Sequence, residues 1–404
     1  MSENPDFIPY GRHALDEADI AAVVSVLRSA ALTNGPVAAK FEAALKEAVG
    51  TQEAVTCSSG TAALHLAVAA LGVEAGDRVI VPTLTFLASA NAARYAGADV
   101  VFADVNESTG LMEPEHFEAA LKKAPQGSVK AVVPVHLNGQ CCDMAGIAEI
   151  AYARDIAVIE DACHALGGYY PKPDDQSAVG ACTYSQATCF SFHPVKTVAM
   201  GEGGAIATND PVLAESMRRL RNHGMERASA NLTMPEFALS EDGERNPWCY
   251  EMQEIGWNYR ASDIHCALGL SQLAKLDSVV NRRATLVARY DKALQALSPV
   301  VRPISRVGGR VAWHLYAVHI DFAAIGQSRA RVMNTLESAG IGTQVHYFPV
   351  HLQPYYQNLY GRQSLPGAEK YYTSCLTLPL FPAMTNADVD RVIVELKRVV
   401  RINS

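Results

Sequence analysis

The stretch FSFHPVKTVAMGEGGAI, residues 190–206, joins two apolar runs through a polar, glycine-rich segment. Thr188–Phe192 and Ala205–Thr208 have the composition of short buried strands. The segment between them carries a single lysine, Lys196. A lysine held near apolar surface loses part of its preference for the charged form, so its amine becomes a nucleophile toward a carbonyl carbon. Taken alone, Lys196 has an alternative interpretation as a solvated lysine on a turn.

The chain before Lys196 alternates short apolar runs with helical patterns such as Ala62–Leu71. The predicted strands are Glu53–Cys57, Arg78–Pro82, Asp99–Ala103, Lys130–His136 and Ile156–Glu160. Continuous strands separated by helices indicate an α/β fold with a mostly parallel sheet covered on both faces. Ligands of such sheets bind beyond the carboxyl ends of the strands, where Ser58–Thr61, Phe86 and Asp161 lie.

The pattern changes near residue 298. We therefore predict a large domain over residues 1–297 and a smaller α+β domain over residues 298–404. In the second part Trp313–Ile320 and Thr343–Tyr347 are predicted strands. The polar, irregular segment Met225–Glu254 is predicted to form a long loop or flap, since structureless segments of this length are often functional.

Composition and charge exclude several classes of protein. The chain has 404 residues, a net charge of −8 and no run of lysines or arginines, which argues against nucleic acid or an anionic membrane as partner. Apolar stretches stay below the roughly 18 residues of a membrane span. The nine cysteines are dispersed without a C-x-x-C pair, which indicates a reducing cytoplasm and neither disulfides nor a metal site.

Two further segments carry chemistry. Ser58–Thr61 lies between a strand and a helix, where hydroxyls and free N–H groups suit a phosphate, although an ordinary N-cap is the alternative. Asp161 ends an apolar strand and needs a partner, such as a protonated pyridine nitrogen or a basic side chain. A phosphate site, a strand-end aspartate and a lone lysine together make the set that pyridoxal 5′-phosphate (PLP) requires.

The motifs EDACHA (residues 160–165), SFHPVK (191–196) and GEGG (201–204) resemble the DegT/DnrJ/EryC1/StrS family of sugar aminotransferases. The resemblance runs from about Ile8 to the C-terminus and includes LTNGP (32–36), PTLTF (82–86) and WNYRASDI (257–264). It implies the aspartate aminotransferase-like fold of type I PLP-dependent transferases.

The resemblance also implies roles for single residues. Lys196 would hold the cofactor as a Schiff base and move the proton, and Asp161 would pair with the pyridine nitrogen. The other implied cofactor-binding residues are Gly60, Thr61 and Ser191 at the phosphate, Phe86 on the ring, His164 beside its 3-hydroxyl group and Asn258 from a neighbouring subunit. The last assignment implies a homodimer with shared active sites.

Within the family, QVHY (344–347) and PVHLQPYY (349–356) resemble the branch that acts in pseudaminic acid biosynthesis, the UDP-4-amino-4,6-dideoxy-N-acetyl-β-L-altrosamine transaminases. This implies transfer of an amino group from L-glutamate to C4 of a UDP-linked 4-keto-6-deoxy-N-acetyl sugar. The implied substrate-binding residues are Thr33, His193, His346 and Tyr347.

Other functions stay open at this point. One is transamination of a different nucleotide 4-keto sugar, of the GDP-perosamine type. A second is a PLP-dependent sugar dehydrase, but dehydrases of this family carry histidine where this chain has Lys196. A third is a PLP-binding regulator, which normally needs a DNA-binding module, and no basic helix-turn-helix segment occurs here.

Overall fold

The computed structural model describes residues 6–171, 177–228 and 231–400. Its largest sheet has seven strands in the order β1-β7-β6-β5-β4-β2-β3. The strands are β1 (Glu53–Cys57), β2 (Arg78–Pro82), β3 (Asp99–Ala103), β4 (Val129–Val132), β5 (Ala157–Asp161), β6 (Ala187–Ser191) and β7 (Gly204–Thr208). Only β7 runs antiparallel to its neighbours in this sheet. The predicted α/β fold with a mostly parallel sheet is confirmed.

Helices accompany this sheet, and their ends follow local sequence signals. They are α1 (Glu17–Leu27), α2 (Pro36–Val49), α3 (Gly60–Ala70), α4 (Leu87–Tyr95), α5 (Pro114–Leu121), α6 (Met144–Tyr152), α7 (Pro211–Leu220) and α8 (Asp263–Leu273). Helix α2 begins at a proline and ends before Gly50, which has φ of 73°. Helix α3 is buried along most of its length because it consists of small and aliphatic residues.

The segment Met225–Glu254 is more regular than predicted. Its ends pair as β8 (Met225–Glu226) and β9 (Glu251–Met252), and a single bridge joins Leu239 to Arg245. The segment predicted as a loop or flap therefore has a short paired base, which the sequence analysis did not predict. Polar hairpins of this kind lack the apolar alternation by which a strand is recognised in a sequence.

A second sheet is antiparallel and consists of β10 (Val301–Pro303), β11 (Tyr316–Ile320) and β12 (Cys375–Leu378). The helices of this part are α9 (Leu276–Leu294), α10 (Arg329–Ser338), α11 (Pro354–Tyr360), α12 (Pro366–Ser374) and α13 (Asn386–Val400). The predicted boundary near residue 298 lies between α9 and β10, and the division into two domains stays a prediction. Across the described ranges, no helix combines the length and apolar character needed to cross a membrane.

The predicted strand Thr343–Tyr347 was wrong. Within it only Gln344 pairs with another strand, through a single bridge to Thr377 of β12. Residues 344–347 all line one cavity, as described below. A regular strand needs a continuous ladder of pairs with its neighbour, and the other residues of this segment form none.

A buried carboxylate anchors the end of β5, which leads into the candidate site. Glu160 is fully buried and accepts hydrogen bonds from His136 Nε2 at 2.7 Å and Tyr170 Oη at 2.7 Å. Ser185 Oγ and Thr188 Oγ1 donate to its other oxygen at 2.5 and 3.1 Å. A desolvated carboxylate is tolerated because its oxygens have several donors.

We expect Glu160→Ala to destabilise the fold by about 3 kcal/mol or more, because it leaves buried donors without an acceptor. Tyr170→Phe, which removes a single donor, should cost only about 1 kcal/mol. Urea unfolding followed by circular dichroism measures both values. A smaller loss for Glu160→Ala than for Tyr170→Phe would contradict this account of the network.

Candidate active site

A cavity of about 600 Å³ opens at the carboxyl ends of the strands. Most of the site residues predicted from the sequence line this cavity: Gly60, Thr61, Phe86, Asp161, His164, Ser191, His193, Lys196, His346 and Tyr347. Thr33 and Asn258 are exposed and do not line this cavity within their own chain. For Thr33 the role at the substrate stays a prediction, as does the role of Asn258 toward a neighbouring subunit.

One end of the cavity is the N-terminus of α3. Ser59 caps the helix by accepting a hydrogen bond from the Ala62 N–H group at 3.1 Å. Gly60 and Thr61 follow as the first helical residues, and N–H groups at these positions have no acceptor within the helix. Free N–H groups and the positive end of the helix dipole make this end suited to a phosphate.

Main chains approach each other so closely here that only glycine fits. A Cβ atom on Gly60 would lie 2.7 Å from Ser191 Cβ. A Cβ atom on Gly204 would lie 2.2 Å from the carbonyl oxygen of Ser59. The ends of β1, β6 and β7 are thereby brought together around the start of α3, with the Ser191 side chain beside the phosphate-suited end.

Asp161 lines the same cavity and is held in place from two sides. Ser89 Oγ of α4 lies 2.6 Å from its Oδ2 atom, and the Cys163 N–H group donates to Oδ1 at 3.2 Å. Thr85 Oγ1 lies 2.7 Å from Ser89 Oγ and continues the network. Hydrogen bonds from both sides restrict the rotation of the carboxylate, as a partner for a ring nitrogen requires.

Lys196 lies on the loop after β6, where its N–H group donates to the carbonyl oxygen of His193 at 2.8 Å. Burial lowers the pKa of the Lys196 ammonium group, and the charge of Asp161 opposes this shift in part. The lysine is therefore shifted toward the neutral amine, which is the nucleophilic form.

His164 has its tautomer set by the main chain. The Asn138 N–H group donates to Nδ1 at 3.3 Å, so the proton lies on Nε2, which is 3.1 Å from Tyr347 Oη. The Tyr347 oxygen accepts this hydrogen bond, and its own O–H proton remains for a ligand. Burial lowers the pKa of His164 well below its usual value, so the ring stays neutral.

Two further histidines at the cavity, His346 and His314, are also neutral. Burial, with the nearby charge of Lys196, lowers the pKa of His346 to about 3, and His346 Nδ1 lies 2.8 Å from Thr377 Oγ1. The same causes lower the pKa of His314 well below its usual value. The imidazoles of His164, His314 and His346 therefore carry no positive charge at neutral pH.

The structure adds residues that the motifs did not nominate. Ser89 contacts Asp161, while Tyr10 and His314 line the cavity. Ser89 follows Phe86 by three positions at the start of a helix, a spacing that places both on one side and was a usable signal. Tyr10 and His314 stand in no motif, and their position depends on distant parts of the chain.

The site has the parts that PLP needs in one space. An anion-binding helix end, a fixed carboxylate and a desolvated lysine line the same cavity, and the half-exposed ring of Phe86 lies at its wall. The donor set fits a phosphorylated pyridine with a reactive carbonyl group.

Residues 13–397 match the sequence profile of the DegT/DnrJ/EryC1/StrS aminotransferase family. The chain belongs to this family. It is 39% identical to the spore coat polysaccharide biosynthesis protein SpsC of Bacillus subtilis over 398 residues, which cover 98% of this chain and 97% of SpsC. The similarity to this family therefore extends along nearly the whole chain.

Solved structures of similar proteins have the same fold. Helicobacter pylori PseC, an aminotransferase in the biosynthesis of pseudoaminic acid, matches with a TM-score of 0.85 and 27% identity over 97% of this chain and 99% of PseC. The PLP form of the putative sugar aminotransferase Spr1654 from Streptococcus pneumoniae matches with a TM-score of 0.84 and 28% identity over 98% of each chain. The protein is a PLP-dependent sugar aminotransferase with the type I fold.

We expect Ser89→Ala to weaken PLP binding about tenfold, because Asp161 loses a hydrogen bond that orients its carboxylate. The matched control is Ser271→Ala, which removes an equally short bond of 2.6 Å, from Ser271 to Asp19, away from the cavity. Dissociation constants from absorption titration of the cofactor-free protein give the comparison. Equal affinities for the two variants would rule out this role for Ser89.

Proposed function

We propose that this enzyme transfers the amino group of L-glutamate to C4 of a UDP-linked 4-keto-6-deoxy-N-acetyl sugar, as in pseudaminic acid biosynthesis. The observation that carries the proposal is the single cavity that joins Lys196, Asp161 and the phosphate-suited start of α3. The similarity of this protein to PseC along nearly the whole chain supports a sugar of this class as the substrate.

The proposed chemistry assigns each side chain one task. Bound PLP supplies an electron sink that lets an amino group move between a donor and a keto acceptor. Lys196 holds the cofactor and then, as a free amine, carries the proton between the two reacting carbon atoms. Asp161 keeps the ring nitrogen protonated, and Gly60, Thr61 and Ser191 bind the phosphate.

Apart from Asn258, the other predicted site residues are proposed to bind and orient the reactants, and of these Thr33 alone lies outside the cavity lining. Phe86 packs on the cofactor ring, and His164 lies beside its 3-hydroxyl group. Tyr347 has a free O–H proton for a ligand, since its oxygen already accepts from His164. His193, His346 and Thr33 are proposed to contact the sugar nucleotide.

We propose a homodimer in which Asn258 of one subunit reaches the phosphate site of the other. Trp257 and Tyr259 pack on His65 of α3, with ring centroids 4.2 and 5.9 Å away, and this leaves Asn258 exposed between them.

The free thiols of all nine cysteines support the cytoplasm as the place of the reaction.

We expect purified protein to show a visible cofactor band that bleaches on addition of L-glutamate. Lys196→Ala should lack this band and lose steady-state transamination, because the covalent anchor and proton carrier are one residue. The matched control is Lys292→Ala, an exposed lysine of α9, which should behave as wild type. Steady-state turnover by Lys196→Ala would disprove the assignment.

The nucleotide is tested by a second comparison. A UDP-linked 4-keto-6-deoxy-N-acetyl sugar should restore the bleached band, with kcat/KM at least about tenfold above that of a GDP-linked 4-keto sugar. His346→Ala should raise KM for the UDP-linked sugar and leave the glutamate half-reaction intact. A preference for the GDP-linked sugar would favour an enzyme of the GDP-perosamine type. Because SpsC is named as a spore coat polysaccharide biosynthesis protein, a sugar of another polysaccharide is a further alternative substrate.

A further inference from the structure

Arg283 of α9 is a fully buried arginine whose hydrogen-bond partners are all main-chain carbonyl oxygens. Its Nη1 atom donates to His314 O at 2.9 Å, Leu380 O at 3.0 Å and Trp313 O at 3.4 Å. Its Nη2 atom donates to Val195 O at 3.3 Å. Carbonyl oxygens accept from both Nη atoms of the guanidinium group but leave its positive charge without a neutralising partner.

These carbonyls belong to parts of the chain that meet at the cavity. Val195 O is in the peptide bond that leads into Lys196. Trp313 and His314 precede β11, and His314 lines the cavity. Leu380 follows β12 of the second sheet. One side chain therefore connects the lysine loop with the antiparallel sheet.

We propose that Arg283 is a positioning residue for Lys196: it joins the lysine loop to the segments at 313–314 and 380 and places its positive charge at the peptide bond that leads into Lys196. The inference rests on the proposed role of Lys196. It concerns a residue outside the cavity lining, which acts on the reaction through the lysine.

Arg283 is a positive side chain whose charge acts against the ammonium form of Lys196. The ionisable side chains that line the cavity with Lys196 are Tyr10, Asp161, Cys163, His164, His193, Glu202, His314, His346 and Tyr347. Burial keeps the imidazoles of His164, His314 and His346 neutral, as described above. Burial also lowers the pKa of Arg283, to about 10, which leaves it protonated at neutral pH. Its charge disfavours the ammonium form of Lys196, in the same direction as burial.

A role in packing alone does not require this charge. A guanidinium taken out of water loses hydration, and apolar residues of similar volume often serve a protein core as well or better. The Nε atom of Arg283 has no hydrogen-bond partner among the described residues, which adds to the cost of burying this group. We therefore attribute the buried charge of Arg283, next to the lysine loop, to its effect on the amine of Lys196.

The test is the pH dependence of Lys196 acylation in the full-length protein freed of cofactor, read by peptide mass spectrometry. In Arg283→Met and Arg283→Gln we expect the midpoint to rise by about half a unit to one unit, so labelling at pH 7 slows about three- to tenfold. The matched control is Arg289→Met on the same helix, which removes an exposed ion pair with Asp390 and should leave the midpoint unchanged.

The midpoint separates this role from a structural one. Loss of packing alone would change the limiting rate at high pH and leave the midpoint in place, and that result in both Arg283 variants would overturn the proposal. Arg283→Gln keeps an amide donor for the carbonyls and serves if Arg283→Met does not fold. A different pair of results would overturn the proposed function and this inference with it. In that case Lys196 of the wild type has the acylation midpoint of an ordinary exposed lysine, and Lys196→Ala still shows a visible cofactor band.

Discussion

The close approach of main chains around the start of α3 is the constraint on which the rest of the site depends. Gly60 lies against Ser191, and Gly204 lies against the carbonyl of Ser59, at distances that exclude any Cβ atom. This approach brings the ends of β1, β6 and β7 together and turns free N–H groups into the cavity. The lysine loop leaves β6 at this point, so its position follows from the same contacts.

Burial then shifts the charge state of Lys196 and of three histidines at the cavity. The same loss of hydration that shifts Lys196 toward its amine also keeps His164, His314 and His346 neutral. Asp161 is oriented by the Ser89 hydroxyl and the Cys163 N–H group. Desolvation and hydrogen bonds thus place an oriented carboxylate and three neutral imidazoles in the same cavity as the amine of Lys196.

Much of the fold and the site could be predicted from local patterns. The strands Glu53–Cys57, Arg78–Pro82 and Asp99–Ala103 have the bounds expected from their apolar runs. Predictions were less successful in the C-terminal part. The segment predicted as a strand over Thr343–Tyr347 does not form one, and β10 and β12 were not predicted. Short strands at the edge of a small sheet owe their conformation to neighbours that are distant in sequence.

The sequence by itself determined the mostly parallel α/β core and, through motifs that resemble one family, the family and the PLP cofactor, because these depend on residue types in short local patterns. Only the tertiary structure decided the tautomer of His164, the hydrogen bond from Ser89 to Asp161 and the hydrogen bonds from Arg283 to main-chain carbonyl oxygens. These features join residues separated by many positions, such as Arg283 and Leu380. Their burial and hydrogen bonding arise from packing between elements, which no local pattern encodes.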